Sequence, residues 1–373
     1  MCKVNNNLQD QDIPSPLLIA WEVTRSCNLN CQHCRAAAKN CVYPNELTTE
    51  QCFKLLDNIA GFAKPIIILT GGEPMLRKDI YEIARHGSDL GLRMVMAPCG
   101  MLIDDEAVKK IIDAGIQCIS ISIDGANAKS HDEFRRVPGA FQIAMDAIAA
   151  AKRHGLPFQI NTTITTHNID ELPDIMQMAR DLGVVTFNPF LLVPTGRGKE
   201  LADQELSPEQ YEQTLQWLSE KSTETEMQMR VTCAPHYQRI IRQNHKSLAD
   251  NVEKPKGHGH RGGPGKKHGV QPAGCMGGKS FAFISHTGRV QICGFLETLA
   301  GDVSKNDFDF EDIWKNSRFF NEIRDVDSYK GKCGYCEFRR ICGGCRARAF
   351  ALTGDCLETE PFCVYEPKAK PKV

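Results

Sequence analysis

Leu17-Leu18-Ile19-Ala20-Trp21-Glu22-Val23 runs without a break into Thr24-Arg25-Ser26-Cys27-Asn28-Leu29-Asn30-Cys31-Gln32-His33-Cys34, and the rest of the chain is read outward from this junction. The first half has the apolar run of a buried β-strand, and the second half is the loop that leaves its C-terminal end. The spacing C-x3-C-x2-C puts three thiols on one loop, with no fourth in the same turn. A cluster held by three protein sulfurs has one iron left over, which can ligate and reduce a small molecule.

Short β-rich runs alternate with helical patterns beyond that loop. Strands are predicted at Leu17 to Val23, Pro65 to Leu69, Arg93 to Ala97, Cys118 to Ile123, Phe158 to Ile164 and Val185 to Leu192. Helices are predicted near Thr49 to Ala60, Asp79 to Leu90, Asp105 to Ala114, Ala140 to His154 and Leu172 to Leu182. Strict alternation argues for a parallel sheet covered by helices, curled by right-handed crossovers into a barrel or an open wound sheet, with functional loops after the strand C-termini. The polar motifs fall there: the three cysteines after the first strand, Gly71-Gly72-Glu73-Pro74 after the second, Asp124-Gly125 after the fourth. Each of the last two is also an ordinary tight turn when taken alone.

The 373 residues allow one large domain and a small one, and a net charge of -1 gives no global pull toward nucleic acid or membrane. The start of the chain is polar and no apolar run is long enough to span a bilayer, so a cytoplasmic protein is expected. Seventeen cysteines would suit a secreted disulfide framework only in a short exported chain; an odd count in two tight groups plus singles points to thiolate ligands. Cys52, Cys99 and Cys118 read as small core residues. Cys2 and Cys41 have no assignment, although Cys41 is a possible fourth ligand for the first group.

Toward the C-terminus, Glu205 to Lys221 reads as a helix. Asn251 to Gly269 is Gly-, Lys- and His-rich and cannot bury a core, which makes it a loop or linker, either simply solvated or suited to an acidic substrate. Phe281 to Ser285 and Arg289 to Cys293 read as a β-hairpin presenting cysteines at one edge. Cys275, Cys293, Cys333-x2-Cys336-x5-Cys342-x2-Cys345, Cys356 and Cys363 form the second thiol group. Taken in isolation, the paired C-x2-C units of Cys333 to Cys345 favour a structural zinc site.

Cys27, Cys31 and Cys34 with His33, Gly71-Gly72-Glu73-Pro74 and the order of six βα units resemble the radical S-adenosylmethionine (SAM) enzymes. The resemblance implies a partial (β/α)6 TIM-type barrel, a [4Fe-4S] cluster on the three cysteines with SAM on the fourth iron, and reductive cleavage to a 5′-deoxyadenosyl radical. It further implies SAM contacts from His33, from Gly71, Gly72 and Glu73 to the amino group, from Ser122, Asp124 and Asn161 to ribose or carboxylate, and from the segment Val193 to Gly196 beside adenine. Arg135 is either a partner of the SAM carboxylate or a solvated charge. The C-terminal pattern resembles the SPASM extension of that family, with x2 where the last spacing is usually x3. By that resemblance Cys333, Cys336, Cys342 and Cys363 hold one auxiliary [4Fe-4S] cluster, Cys356 competing with Cys363. Cys275, Cys293 and Cys345 supply three ligands to another, whose fourth is Cys233 or an open iron.

Stretches around Trp21 to Cys27, Cys34-Arg35-Ala36, Arg93 to Gly100 and Cys233-Ala234-Pro235-His236-Tyr237 resemble the haem-forming branch of the family. That branch oxidatively decarboxylates two propionates of Fe-coproporphyrin III to vinyls. This implies an iron porphyrin substrate and a one-electron reductant such as flavodoxin or ferredoxin. The alternatives are a didecarboxysirohaem deacetylase or d1-type haem enzyme, a peptide-modifying enzyme (sulfatase maturase or thioether-forming), and a non-catalytic scaffold. The division expected is an extension over 1-16, the barrel over 17-200, a helical bridge and basic loop over 201-271 and the cluster domain over 272-373. The sequence carries no signal for oligomeric state.

Overall fold

The structure, a computed structural model, describes residues 13–251 and 274–368. Cys2 and the basic segment from Lys254 to His268 lie outside the described residues. The first half alternates β1 (Leu18–Thr24), α1 (Thr49–Phe62), β2 (Ile66–Gly71), α2 (Ile80–Asp89), β3 (Arg93–Met96), α3 (Asp105–Asp113), β4 (Ile116–Ser122), α4 (Ala128–Arg135), α5 (Ala140–Arg153), β5 (Phe158–Ile164), α6 (Leu172–Leu182) and β6 (Thr186–Leu191). β1 to β6 lie side by side in chain order and pair in parallel. Local chemistry sets the boundaries. Thr48 and Gln51 form a reciprocal capping box before α1, Asp104 caps α3, and Gly183 ends α6 in the left-handed region. α4 is a helix the sequence reading did not contain; Asn127 starts it by accepting the amides of Lys129 and Ser130.

The strands have two different faces. Ile19, Trp21, Val23, Ile67, Leu69, Met94, Met96, Ile119, Ile121, Ile160 and Phe187 are buried in one core with the helices. Residues of opposite parity place Glu22 beside Thr70, and Ser122 beside Asn161 beside Asn188, across neighbouring strands. A parallel sheet covered on both faces would be apolar on both. Here the concave face turns polar near the strand C-termini, because it lines a site.

The sheet does not stop at six strands. After α7 (Pro208–Ser222), β7 (Gln228–Met229) extends it beyond β6, and α8 (His236–Asn251) follows. β8 (Phe281–Ile284) and β9 (Arg289–Gln291) form the expected antiparallel hairpin, continued by β10 (Gly301–Asp302). β8, however, is no edge: it pairs in parallel with β1, Leu18 opposite Phe281 and Trp21 opposite Ile284. The result is one ten-stranded sheet, β10-β9-β8-β1-β2-β3-β4-β5-β6-β7. Short helices α9 (Phe310–Asn316), α10 (Arg318–Arg324), α11 (Gly331–Tyr335) and α12 (Arg346–Thr353) complete the C-terminal part.

Candidate active site

The three-thiol loop leaves β1 and is tied back on every side. Cys27 N–H donates to Lys39 O (3.0 Å), while Arg197 donates from its backbone N–H to Cys34 O (3.0 Å), from Nε to Cys31 O (2.9 Å) and from Nη1 to Ala38 O (2.7 Å). Gly72 N–H and Glu73 N–H reach Thr24 O and Ser26 O at 2.9 and 2.8 Å, which clamps the end of β2 onto the root of the loop. Cys27, Cys31 and Cys34 pack with Leu29, Ala36 and Ala38 in a small apolar nest that also takes in Cys99. Cys99 thus belongs to the site rather than to the barrel core: its Sγ lies 3.6 Å from Asn28 Oδ1. Cys41 is exposed and stands outside that nest.

Burial pushes the Cys27 thiol up to about 11, with the Leu29 N–H opposing and the neighbouring Glu73, Cys31 and Cys34 adding to the rise. Thiols gathered on one buried loop ionise together only if a positive centre replaces their protons, as metal binding does. Arg135 supplies part of that charge. It is buried, with Nη1 3.6 Å from Cys31 Sγ and with Nε and Nη2 on Asp124 Oδ2 at 2.7 and 2.6 Å, so it is not a solvated residue. A cavity of about 230 Å³ opens here, lined by Leu29, Cys99, Ser122, His131 and Arg135 among others.

Of the residues expected to contact SAM, Ser122 and Arg135 line this cavity and the others are not in its wall. His33 stacks on Phe134 (centroids 4.5 Å apart) with Nε2 3.9 Å from Asp124 Oδ2, and burial lowers its pKa to about 4, which keeps it neutral. Asp124 is ion-paired to Arg135 and accepts the Thr163 N–H (2.7 Å). Glu73 accepts the amides of Met75 (2.9 Å) and Cys99 (2.5 Å). Asn161 Oδ1 accepts from Gln159 and Asn188. Gly71 and Gly72 lie so close to the Thr24, Arg25 and Ser26 carbonyls that a β-carbon on either would collide with backbone. Gly196 packs in the same way on the carbonyls of Cys34 and Arg35, and Val193 is buried beside it.

The C-terminal thiols divide into two sets. Cys333, Cys336, Cys342 and Cys363 line a cavity of about 380 Å³ that Cys356 does not reach. Backbone amides point at these sulfurs: Glu360 N–H to Cys333 Sγ (3.5 Å), Phe338 N–H to Cys336 Sγ (3.4 Å) and Gly344 N–H to Cys342 Sγ (3.4 Å). Amide-to-sulfur hydrogen bonds stabilise thiolates, as cluster sites require. Cys363 is the one thiol of the set whose pKa falls, because His236 outweighs its burial. Among the described residues no three His, Cys, Asp or Glu side chains are grouped as one metal ion would need. Thiols arranged around a cavity suit a cluster, whose thiolates sit on separate irons, better than a single Zn²⁺ with every sulfur about 2.3 Å from one centre.

The second set is Cys233, Cys275, Cys293 and Cys345. Burial pushes Cys345 up to about 11, with Arg348 opposing and Cys275 adding. Cys233 is driven well above the ordinary thiol range by burial and then by Cys345, Cys293 and Cys275, so the four lie near one another. Cys233 holds φ +61°, costly for a residue with a β-carbon. Its carbonyl is pinned by Tyr211 Oη (3.1 Å) and Arg348 Nη1 (3.1 Å). Arg346 and Arg348, both fully buried, escaped the sequence reading; so did Arg197 and His131. The available signal was position: Arg346 follows Cys345 directly with Arg348 two residues further on, and Arg197 follows Gly196.

A βα sheet with a three-thiol loop after its first strand and two further thiol sets beyond defines the class of radical SAM enzymes with an auxiliary iron-sulfur domain. The Radical SAM superfamily profile matches residues 21–179, and that of SPASM, an iron-sulfur cluster-binding domain, matches residues 275–345. A protein of Methanosarcina barkeri named AdoMet-dependent heme synthase is 46% identical over 95% of this chain and 98% of its own length. Fe-coproporphyrin III synthase of the same organism is 28% identical, over 93% of this chain and 87% of its own. Streptococcus suis SuiB bound to S-adenosylmethionine shares the fold, with a TM-score of 0.69 at 16% identity over 94% of this chain and 77% of SuiB. The chain belongs to the radical SAM superfamily and, within it, to the family of the AdoMet-dependent haem synthases. The enzymes of this class carry a [4Fe-4S] cluster with SAM and auxiliary iron-sulfur clusters. Among the described residues no helix is long and apolar enough to cross a membrane.

Proposed function

We propose that this chain converts Fe-coproporphyrin III to protohaem by oxidative decarboxylation of two propionates to vinyls. The observation that carries the reading is the pairing of β8 with β1, which joins the strand that leads into the three-thiol loop and the hairpin that leads into Cys293 in one continuous sheet. Loss of one hydrogen atom from the propionate β-carbon, then of CO2 and one electron, turns –CH2–CH2–COO⁻ into –CH=CH2. Bound in the three sites, SAM and the clusters supply the 5′-deoxyadenosyl radical and an acceptor for that electron. Cys27, Cys31 and Cys34 hold the first cluster, with Arg197 fixing their loop and Ser122 and Arg135 facing the SAM cavity. Cys333, Cys336, Cys342 and Cys363 hold one auxiliary cluster. Cys275, Cys293 and Cys345 hold the other, with Cys233 as its fourth ligand; the strained backbone of Cys233 and the three thiols near it support that assignment. The division at 17-200, 201-271 and 272-373 is kept as one of function, since the sheet runs across it. The reading goes with a flavodoxin- or ferredoxin-type reductant and a cytoplasmic setting.

The test is anaerobic incubation of reduced, reconstituted protein and SAM with Fe-coproporphyrin III or, separately, didecarboxysirohaem. Stepwise loss of two CO2 from the first is expected. Loss of acetate from the second would move the assignment, and absence of 5′-deoxyadenosine with either would sink the radical reading.

A further inference from the structure

Arg35 follows Cys34, and its side chain is only 19% exposed. Its guanidinium lies 4.4 Å over the Phe283 ring of β8 and packs on Gly294, where a β-carbon would stand 3.0 Å from Arg35 Nε. Gly294 follows Cys293, so Arg35 fills the seam between the three-thiol loop and the Cys233–Cys275–Cys293–Cys345 set. A guanidinium has five N–H donors. Among the described residues Arg35 makes no hydrogen bond with them; its one ionic contact is Nη2 to Glu22 Oε2 at 3.1 Å, too poorly aligned to satisfy either atom.

Glu22 is itself shared. It accepts Arg25 Nε on Oε1 (3.0 Å), and His286 Nδ1 lies 2.7 Å from the same oxygen. Two guanidiniums thus share the Glu22 carboxylate, and the next carboxylate, Glu46, is held by the Arg25 backbone N–H (3.0 Å) and by Thr24 Oγ1 (2.7 Å). Buried polar groups in folded proteins have partners, and a planar fork with free donors matches a carboxylate in two parallel bonds.

We propose that Arg35, with Arg25 behind it, binds a propionate carboxylate of the porphyrin and so holds the macrocycle between the three-thiol loop and Cys293. This rests on the haem synthase reading and names a residue that sets its substrate. The methionyl carboxylate of SAM has the same chemistry. Arg35 is absent from the wall of the Ser122–Arg135 cavity, however, and faces Phe283 and Gly294 instead, which favours the porphyrin.

Anaerobic titration of the Soret band with reconstituted protein decides the matter, using Fe-coproporphyrin III and its tetramethyl ester, with SAM affinity measured in parallel. Arg35→Gln should weaken the acid about 10- to 100-fold, the range of a buried charge-assisted hydrogen bond, and should leave the ester unchanged; Arg35→Lys should fall between. Equal affinity of wild type and Arg35→Gln for the acid overturns the proposal. So does an equal loss for acid and ester, or a loss confined to SAM. If Arg35→Gln fails to retain iron, Arg35→Lys and the acid-to-ester ratio of the wild type decide: no ratio above one, or no change with lysine, overturns it. A wild type that cleaves SAM but binds neither porphyrin refutes the haem synthase reading itself, whereas a flat Arg35→Gln comparison leaves that reading standing.

Discussion

Cys27 and Cys31 are poor thiolates until a positive centre meets them, since burial, with neighbouring acidic groups adding, raises both thiols, Cys27 to about 11. Cys27→Ala should therefore abolish SAM cleavage, measured as 5′-deoxyadenosine, because two thiolates do not hold the cluster that SAM must bind. Cys333→Ala should leave the first cluster assembled and cost only auxiliary iron. Buried titratable groups near the site also set an acid limit. His131 Nδ1 accepts the Asp124 N–H (3.0 Å), and burial, with Arg135 nearby, lowers its pKa to about 4 from an ordinary 6.5. Between those values the unfolded chain takes up a proton that the folded protein refuses, so stability falls as pH falls, by about 3 kcal/mol in all at 1.36 kcal/mol per pH unit. The urea midpoint of the wild type should drop more steeply from pH 6.5 to 4 than that of His131→Asn, whose amide oxygen can keep the same acceptor; equal slopes would remove His131 from the account.

Loops and helix starts carry the next level of organisation. The end of β2 reaches the cysteine loop only because Gly71 and Gly72 have no β-carbon, and the colliding atoms would be backbone oxygens that cannot swing aside. Gly72→Ala should displace Arg25 and Ser26 and lower iron in the first site, seen as a loss of up to about four irons per chain with the auxiliary sites intact. α12 shows how one short element serves two sites. Residues i and i+2 of a helix point to nearly opposite sides. Arg346 accordingly donates from Nη2 to Cys333 Sγ (3.5 Å), while Arg348 donates to the Cys233 carbonyl and to Glu360 Oε1 (3.2 Å). Glu360 in turn lies 2.8 Å from His236 Nε2. Two buried guanidiniums thus flank the two auxiliary thiol sets, where they offset thiolate charge.

One sheet runs through the whole molecule, from β10 to β7, and three thiol sets hang from it. Full anaerobic reconstitution should load about twelve irons per chain, four to each cubane cluster; zinc in place of about eight of them would restore the structural-zinc reading of the C-terminal cysteines. Periodicity was enough to place the six βα units, because each strand and helix buries its own apolar residues and announces its ends with Gly, Pro and capping side chains. The short α4 was not legible, since Ala128–Arg135 has almost no apolar period; it is held by its Asn127 cap and by the burial of Phe134 and Arg135. The cysteine spacings likewise marked local ligand groups, as sulfurs a few residues apart on a loop must end up near one another. Spacing says nothing about partners distant in sequence. That Cys233 lies near Cys275, Cys293 and Cys345, that Cys363 and not Cys356 shares a cavity with Cys333, and that Arg35 lies against Gly294 are contacts between segments far apart in the chain. Sequence by itself determined the elements and the kind of chemistry, because both are written in local patterns. Only the tertiary structure decided which thiols share a cavity and that Arg35 has to share the Glu22 carboxylate with Arg25, because those are contacts between segments that the chain brings together by burial alone.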